Sequence, residues 1–227
     1  MKKKMTVMVV ALAMVLCFAI GGTLAWLQAS TQSVTNTFTY GDINITLTET
    51  DSDDVDTDAN NNSYKMVPGG TIEKDPKVTV AGSSEDCWLF VKIEEAGSIE
   101  ITENGQGVEY TFDDFLAYAY ATGWTVVEGV YDQDDSRSGN ESFVIAREVK
   151  ATDEVKTFSV LKDDKVIVKT SVTKAMMNAI DDEAESANRP TLTFTAYAVQ
   201  SANLTDKDGN SVTTAAAAWA IIKPVSN

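Results

Sequence analysis

Cys87-Trp88-Leu89-Phe90-Val91-Lys92-Ile93-Glu94 is the stretch that decides the fold class. Side chains alternate between the two faces of a strand. Here Leu89, Val91 and Ile93 share one phase while Trp88 and Phe90 share the other, so both faces are apolar. A half-exposed strand would read apolar on one phase only. This one is expected at the centre of a sheet that is covered on both sides.

Outward from it, short runs rich in Val, Ile, Thr, Phe and Tyr recur between turn residues. Strands are expected over residues 34–48, 77–81, 100–102, 108–112, 125–131, 143–149, 155–161, 166–172 and 191–199. Gly41-Asp42 interrupts the first, where a bulge or turn resets the pleat. About ten strands at this spacing point to a mainly β fold, an antiparallel sandwich. Helical spacing adds three short helices in the connections. Residues 113–121 carry Phe115, Leu116, Ala119 and Tyr120; residues 174–187 carry Met176, Met177 and Ile180, then Arg189-Pro190; residues 213–222 are Ala-rich around Trp219 and end before Pro224. No long internal repeat is present.

The N-terminus has a different character. Lys2, Lys3 and Lys4 precede an uncharged apolar run over residues 7–20, then Gly21-Gly22, then Thr23-Leu24-Ala25 with small residues three and one before a cut that leaves Trp26. This is the three-part plan of a secretory signal peptide, with Thr23, Ala25 and Trp26 as the cleavage-site residues. The organisation expected is a signal peptide over 1–25, an N-terminal strand segment over 26–48 and a β-sandwich domain over 49–227. Leu16 before Cys17 does not suit a lipid anchor, and Ile221-Ile222-Lys223-Pro224-Val225-Ser226-Asn227 carries no sorting motif. The expected location is outside the cell, in matrix or at the surface, with membrane contact only through the uncleaved signal peptide.

Net charge is −16, and residues 1–25 hold three Lys and no acid, so the remainder is more acidic still. Such a surface repels nucleic-acid phosphate and favours solubility. The chain has no His, which removes the usual general base and the commonest zinc ligand. Cys87, in the most apolar strand, reads as a buried, inert thiol.

Several patterns bear on chemistry. The acid clusters Asp51, Asp53, Asp54, Asp56 and Asp58, then Asp132, Asp134 and Asp135, then Asp206 and Asp208, offer oxygen ligands of the kind Ca²⁺ takes. The 206–217 stretch fails as a calcium loop: Ser211 stands where Gly is required and Ala217 where Glu is required. Solvated loops are the plainer reading, with Ca²⁺ the only cofactor considered and Asp208-Gly209 as a tight turn. Ser159 to Lys162 and Ser171 to Lys174 match Ser-x-x-Lys without its partner motifs. Glu94-Glu95 and Asp181-Asp182-Glu183 do not establish a facing carboxylate pair. Trp124, Tyr118 and Tyr120 read as core, and Gly105-Gln106-Gly107 as a hairpin turn. No catalytic or metal-ligating residue is assigned.

Gly21-Gly22-Thr23-Leu24-Ala25-Trp26-Leu27, followed by Asn36-Thr37-Phe38-Thr39-Tyr40-Gly41-Asp42-Ile43, resembles the start of exported proteins cut by a SipW-type signal peptidase, the TasA- and camelysin-like group. Met66-Val67-Pro68-Gly69-Gly70-Thr71-Ile72, Lys74-Asp75-Pro76, Trp88-Leu89-Phe90-Val91-Lys92-Ile93, Thr195-Ala196-Tyr197-Ala198-Val199-Gln200 and Ala217-Ala218-Trp219 are similar to the same group. The resemblance implies a jelly-roll-like β-sandwich, the peptidase as partner during export, and a biofilm-matrix or surface role. It also implies fibres in which the N-terminal strand of one subunit adds to the next. Camelysin is described as a metal-dependent protease, but this chain lacks His-Glu-x-x-His, so that activity is not carried over.

Strand addition has its own physical basis. An open sheet edge templates an extended segment through main-chain hydrogen bonds, with alternate side chains in pockets. A head-to-tail contact of this kind makes filaments. Val34, Phe38, Tyr40, Ile43 and Ile45 are the expected donor-strand side chains. The functions expected, in order, are a secreted fibre-forming structural protein, a monomeric extracellular binding or adhesion module on the same fold, and a camelysin-type protease.

Overall fold

The computed structural model describes residues 42–50, 63–103, 105–131, 139–181 and 188–224. All lie within the compact unit Gly41–Asn227. The signal peptide, Thr23, Ala25, Trp26, Val34, Phe38 and Tyr40 fall outside the described residues, as do the 51–58 and 132–135 acid clusters and Asp182-Glu183.

The central-strand expectation is met by β4 (Cys87–Ala96). It pairs antiparallel with β12 (Thr191–Gln200) from Gln200↔Cys87 to Thr191↔Ala96, and with β9 (Ser142–Val149) on its other side. β8 (Thr125–Glu128) completes a sheet of order β12-β4-β9-β8. A second sheet has order β1-β3-β10, from β1 (Ile45–Thr48), β3 (Lys77–Val80) and β10 (Thr157–Ser159). A third has order β2-β11-β7, from β2 (Thr71–Glu73), β11 (Lys165–Val168) and β7 (Leu116–Ala117). β5 (Ser98–Glu103) and β6 (Gln106–Thr111) form a hairpin. Every pairing is antiparallel. The whole is mainly β and sandwich-like, with no closed barrel among the described residues.

The two apolar phases of β4 have separate destinations. Cys87, Leu89, Val91 and Ile93 enter the main core beside Val78 and Val80 of β3, Phe143 and Ile145 of β9, and Val166 and Val168 of β11. Phe90 enters a smaller core on the opposite face, with Val144, Ala146, Val212, Ala218 and Trp219. α3 (Ala215–Ile222) covers that face. Its Trp219 ring lies 5.3 Å from Phe90 and 5.2 Å from Tyr197. Thr214 caps the helix by accepting the Ala217 N–H through its side chain, one of the donors a helix start leaves unpaired.

The structure departs from the sequence expectations at several elements. Residues 113–121 are not one helix: α1 (Phe112–Phe115) is a single turn, after which Leu116–Ala117 becomes β7 and pairs with β11. The apolar spacing there reflects burial on two consecutive elements, and tertiary pairing overrides helix propensity. β2 follows the Val67-Pro68-Gly69-Gly70 turn directly and is only three residues long, too short for a visible period. α2 (Lys174–Asp181) keeps Met176 and Ile180 in the core. The 155–161 strand contracts to β10, leaving Val155 exposed.

Candidate functional site

The feature of the fold that can act on another molecule is an edge. Among the described residues β12 is paired on one side only, by β4. Its sequence is Thr-Leu-Thr-Phe-Thr-Ala-Tyr-Ala-Val-Gln, with no charge and no Pro. Its register with β4 runs without a bulge over all ten positions. Long, flat, uncharged edges of this kind are templates for strand addition, and native sheets ordinarily blunt them. The even-numbered side chains Leu192, Phe194, Ala196 and Ala198 lean on the main core, whereas Tyr197 and Val199 pack on the Trp219 side.

A groove of about 910 Å³ opens beside the Thr191 end of this edge. Thr191 to Phe194 form one wall; Leu47 to Glu49 and Ser63 to Met66 form another; Ile72, Leu116, Val166, Met177 and Ile180 supply apolar lining. β1 comes within 8 Å of β12, Cα to Cα, yet no ladder joins them.

One polar group holds the groove's shape. The Lys74 ammonium donates to both Glu49 carboxylate oxygens at 2.8 and 3.1 Å, and the Tyr64 hydroxyl donates to the same carboxylate. Lys74 also lies 4.9 Å over the Tyr64 ring and 5.5 Å from the Phe194 ring centre. Both charges are largely covered, with side chains 12% and 15% exposed. Breaking such a pair leaves one charge uncompensated. The pair joins the ends of β1 and β2 beneath the β12 edge. Next to it, Asp75 accepts from the Thr50 N–H and hydroxyl, both at 2.9 Å, and from Lys77 at 3.0 Å. Burial raises the Asp75 carboxyl, but the Thr50 and Lys77 donors outweigh it and hold it below its usual value.

The other singled-out residues take structural positions. Ile45 pairs with Val80 of its own β3, and Ile43 packs on the main core. The Asp42 and Asn44 carbonyls accept from Glu85 and Ala81. Both isoleucines therefore serve their own sandwich here. Glu94 and Glu95 point to opposite faces: Lys92 binds Glu94, while Glu95 is buried and accepts from the Tyr118 hydroxyl at 2.8 Å. Ser159 lies in β10, and its carbonyl accepts from Trp124. Trp124 and Tyr118 are buried. Cys87 is fully buried, which pushes its thiol up to about 11. Gly105 turns the β5–β6 hairpin at φ +80°. Asp206 accepts from the Asn210 side chain and backbone and from the Asp208 N–H, closing the Asp208-Gly209 turn and lowering its carboxyl.

The sequence marks β12 as an uncharged, proline-free strand but not as the one that ends a sheet. Glu49, Tyr64 and Lys74 carry no sequence signal, because only the fold brings them together.

Among the described residues these features define an antiparallel, sandwich-like β protein with an edge strand beside a groove of mixed lining. Residues 1–107 match the model of the family described as camelysin metallo-endopeptidase. The resemblance to the TasA- and camelysin-like group is borne out by that match, which covers β1 to β5. No curated protein and no solved structure matches the chain. The family name implies a catalytic metal. This chain has no His, and among the described residues no three Cys, Asp or Glu side chains gather to hold an ion. Among the described residues the donor set does not fit such a centre.

Proposed function

We propose that this is a secreted structural protein of the matrix or cell surface, which assembles into fibres by N-terminal strand exchange. A SipW-type peptidase cuts after Ala25, and the released segment adds to the β12 edge of the next copy. The reading rests on one observation above all: a ten-residue, uncharged, unbulged strand that is an edge among the described residues, beside a groove of mixed polar and apolar lining. The signal-peptide pattern and the camelysin-type match over residues 1–107 support export. No helix among the described residues is long and apolar enough to cross a membrane. Addition of one strand supplies main-chain hydrogen bonds, and each apolar side chain it buries contributes about 1.5–3 kcal/mol. The contact is head-to-tail and does not close on itself, so it propagates.

The groove also supports a second reading, a monomeric binding module, since its volume suits a small ligand. Mass spectrometry of the native N-terminus, followed by size-exclusion of the same material, separates the two. The fibre reading expects a chain starting at Trp26 that elutes as a large species. A chain of that length that stays monomeric at high concentration favours the binding module. Retention of residues 1–25 in assembled material refutes release as the switch.

A further inference from the structure

β12 presents its main chain outward in a definite phase. The Ser201 N–H donates to the Asp86 carbonyl, and the β12–β4 register continues from that pair without a slip. In an antiparallel pair, alternate residues bond to the partner strand and those between them face away. Odd-numbered residues of β12 therefore bond to β4, while Leu192, Phe194, Ala196, Ala198 and Gln200 turn their N–H and C=O groups to the edge. The apolar side chains of this strand stop short of full burial: Leu192, Phe194, Ala196 and Ala198 are partly covered on the main-core face, Tyr197 and Val199 on the Trp219 face.

The neighbouring strand has the same character. Among the described residues β1 ends the second sheet, comes within 8 Å of β12, Cα to Cα, and reads Ile-Thr-Leu-Thr. The first charge after it, Glu49, is neutralised by Lys74 at 2.8 Å. Along these two strands a chain of net charge −16 offers an uncharged flank. Copies of so acidic a chain repel one another on most approaches, and this flank brings no like charges face to face.

We propose that two copies of the soluble chain pair through their β12 strands, antiparallel about a two-fold axis, with Thr195 opposite Thr195 of the second copy. The inference does not rest on the fibre reading: it gives the same edge a second occupant, so that dimer formation and strand addition compete for it. A contact of like surfaces about a two-fold axis closes on itself. It runs one β12-β4-β9-β8 sheet into the other and covers the side chains that a single copy leaves partly exposed. It also carries Arg189, which precedes β12, to the end of the second copy where Asp86 and Glu85 lie beside Ser201.

Residue size and Pro190 select the register. Outward-facing residues must meet outward-facing residues, so the admissible registers are discrete. In the proposed one Phe194 stands opposite Ala196 and Leu192 opposite Ala198, a large side chain against a small one in each pair. The ladder ends where Gln200 meets Pro190, which has no N–H to donate. The next register in one direction sets Leu192 against the polar Gln200. The next in the other direction draws Pro190 into the ladder opposite Ala198, where a sheet does not accept it. The opposed threonines have a precedent in the molecule: Thr79 and Thr157, facing each other across β3 and β10, share a hydrogen bond between hydroxyls at 2.9 Å. Such cross-strand pairs favour a register.

The test is disulfide trapping in the soluble fraction of the processed chain, cleared of fibres by centrifugation, with Cys87 left in place because it is buried. Thr195→Cys sets two thiols face to face on the axis, within the roughly 3.5–4.5 Å Cβ separation a disulfide needs. Thr193→Cys sets them four residues apart along the strands, about 13 Å. The expected result is a covalent dimer and nothing larger on non-reducing gels from Thr195→Cys, at least tenfold more than from Thr193→Cys. The unmodified soluble chain should sediment as a dimer that Thr193→Lys dissociates. Equal cross-linking of the two cysteine variants overturns the register, and an unmodified soluble chain that sediments as a monomer at high concentration overturns the dimer. Fibres of the unmodified chain are scored separately by electron microscopy, so that either reading can fail without the other.

Discussion

The four-stranded sheet has two edges, and they are built differently. At one, β8 is four residues long, and its pairing with β9 slips between Val126 and Glu128. It stops just before Gly129, whose φ is +81°, and Glu128 is held by Lys223 at 2.9 Å. Shortness, a bulge and a charge are the usual means by which a sheet refuses a further strand. At the other edge, β12 runs ten residues with no charge and no slip. Among the described residues one sheet thus carries a blunted edge and an unblunted one, and the unblunted edge adjoins the groove. An edge left open by oversight would not be expected beside a shaped groove whose wall is pinned by a covered ion pair.

The largest expected effect comes from making β12 resemble β8. Thr193→Lys adds an exposed charge to the open edge, and fibre growth followed by light scattering should fall at least tenfold. Monomer stability in urea should shift by no more than about 0.5 kcal/mol, as for most surface changes. The matching change on the blunted edge, Thr125→Lys, should leave growth unchanged; equal inhibition by both would erase the distinction between the edges.

Next in size is Gly129→Ala. The new Cβ would lie 2.5 Å from the Ser142 carbonyl oxygen and 2.8 Å from the Phe143 Cα. With positive φ added, the cost should be about 1–3 kcal/mol, read from the urea midpoint. A smaller change would mean that the end of β8 yields easily.

Smaller again is Lys223→Ala. The pair it removes is about half exposed, so the loss should stay within about 1 kcal/mol. The Lys223 hydrogen bond, chiefly, holds the Glu128 carboxyl below its usual value. A lowered carboxylate contributes stability above its unfolded pKa and loses that contribution as pH falls through its folded pKa. The difference between wild type and Lys223→Ala should therefore shrink on acidification below the ordinary glutamate range, in urea titrations at stepped pH.

Much of the fold could be read from residue phase alone. The two apolar phases of Cys87–Ala96 foretold a strand covered on both sides, and Trp219 foretold a helix with one buried side. What escaped was set by pairing rather than by period. Leu116 and Ala117 look helical beside Phe115, yet β11 recruits them as a strand. Ile72 sits in a strand of three residues, too few to show alternation. For the site, Ile45 read as strand correctly and pairs with Val80 of its own β3, while Ile43 packs on the main core just ahead of that strand. Glu49, Tyr64 and Lys74 meet only because the ends of β1 and β2 converge, and nothing local in the sequence records that.

The most direct measurement is electron microscopy, with sedimentation, of the chain beginning at Trp26 beside a chain lacking residues 26–40, at equal concentration. Strand exchange through the β12 edge predicts fibres from the first and dispersed particles from the second. Fibres of equal number and length from both would contradict it.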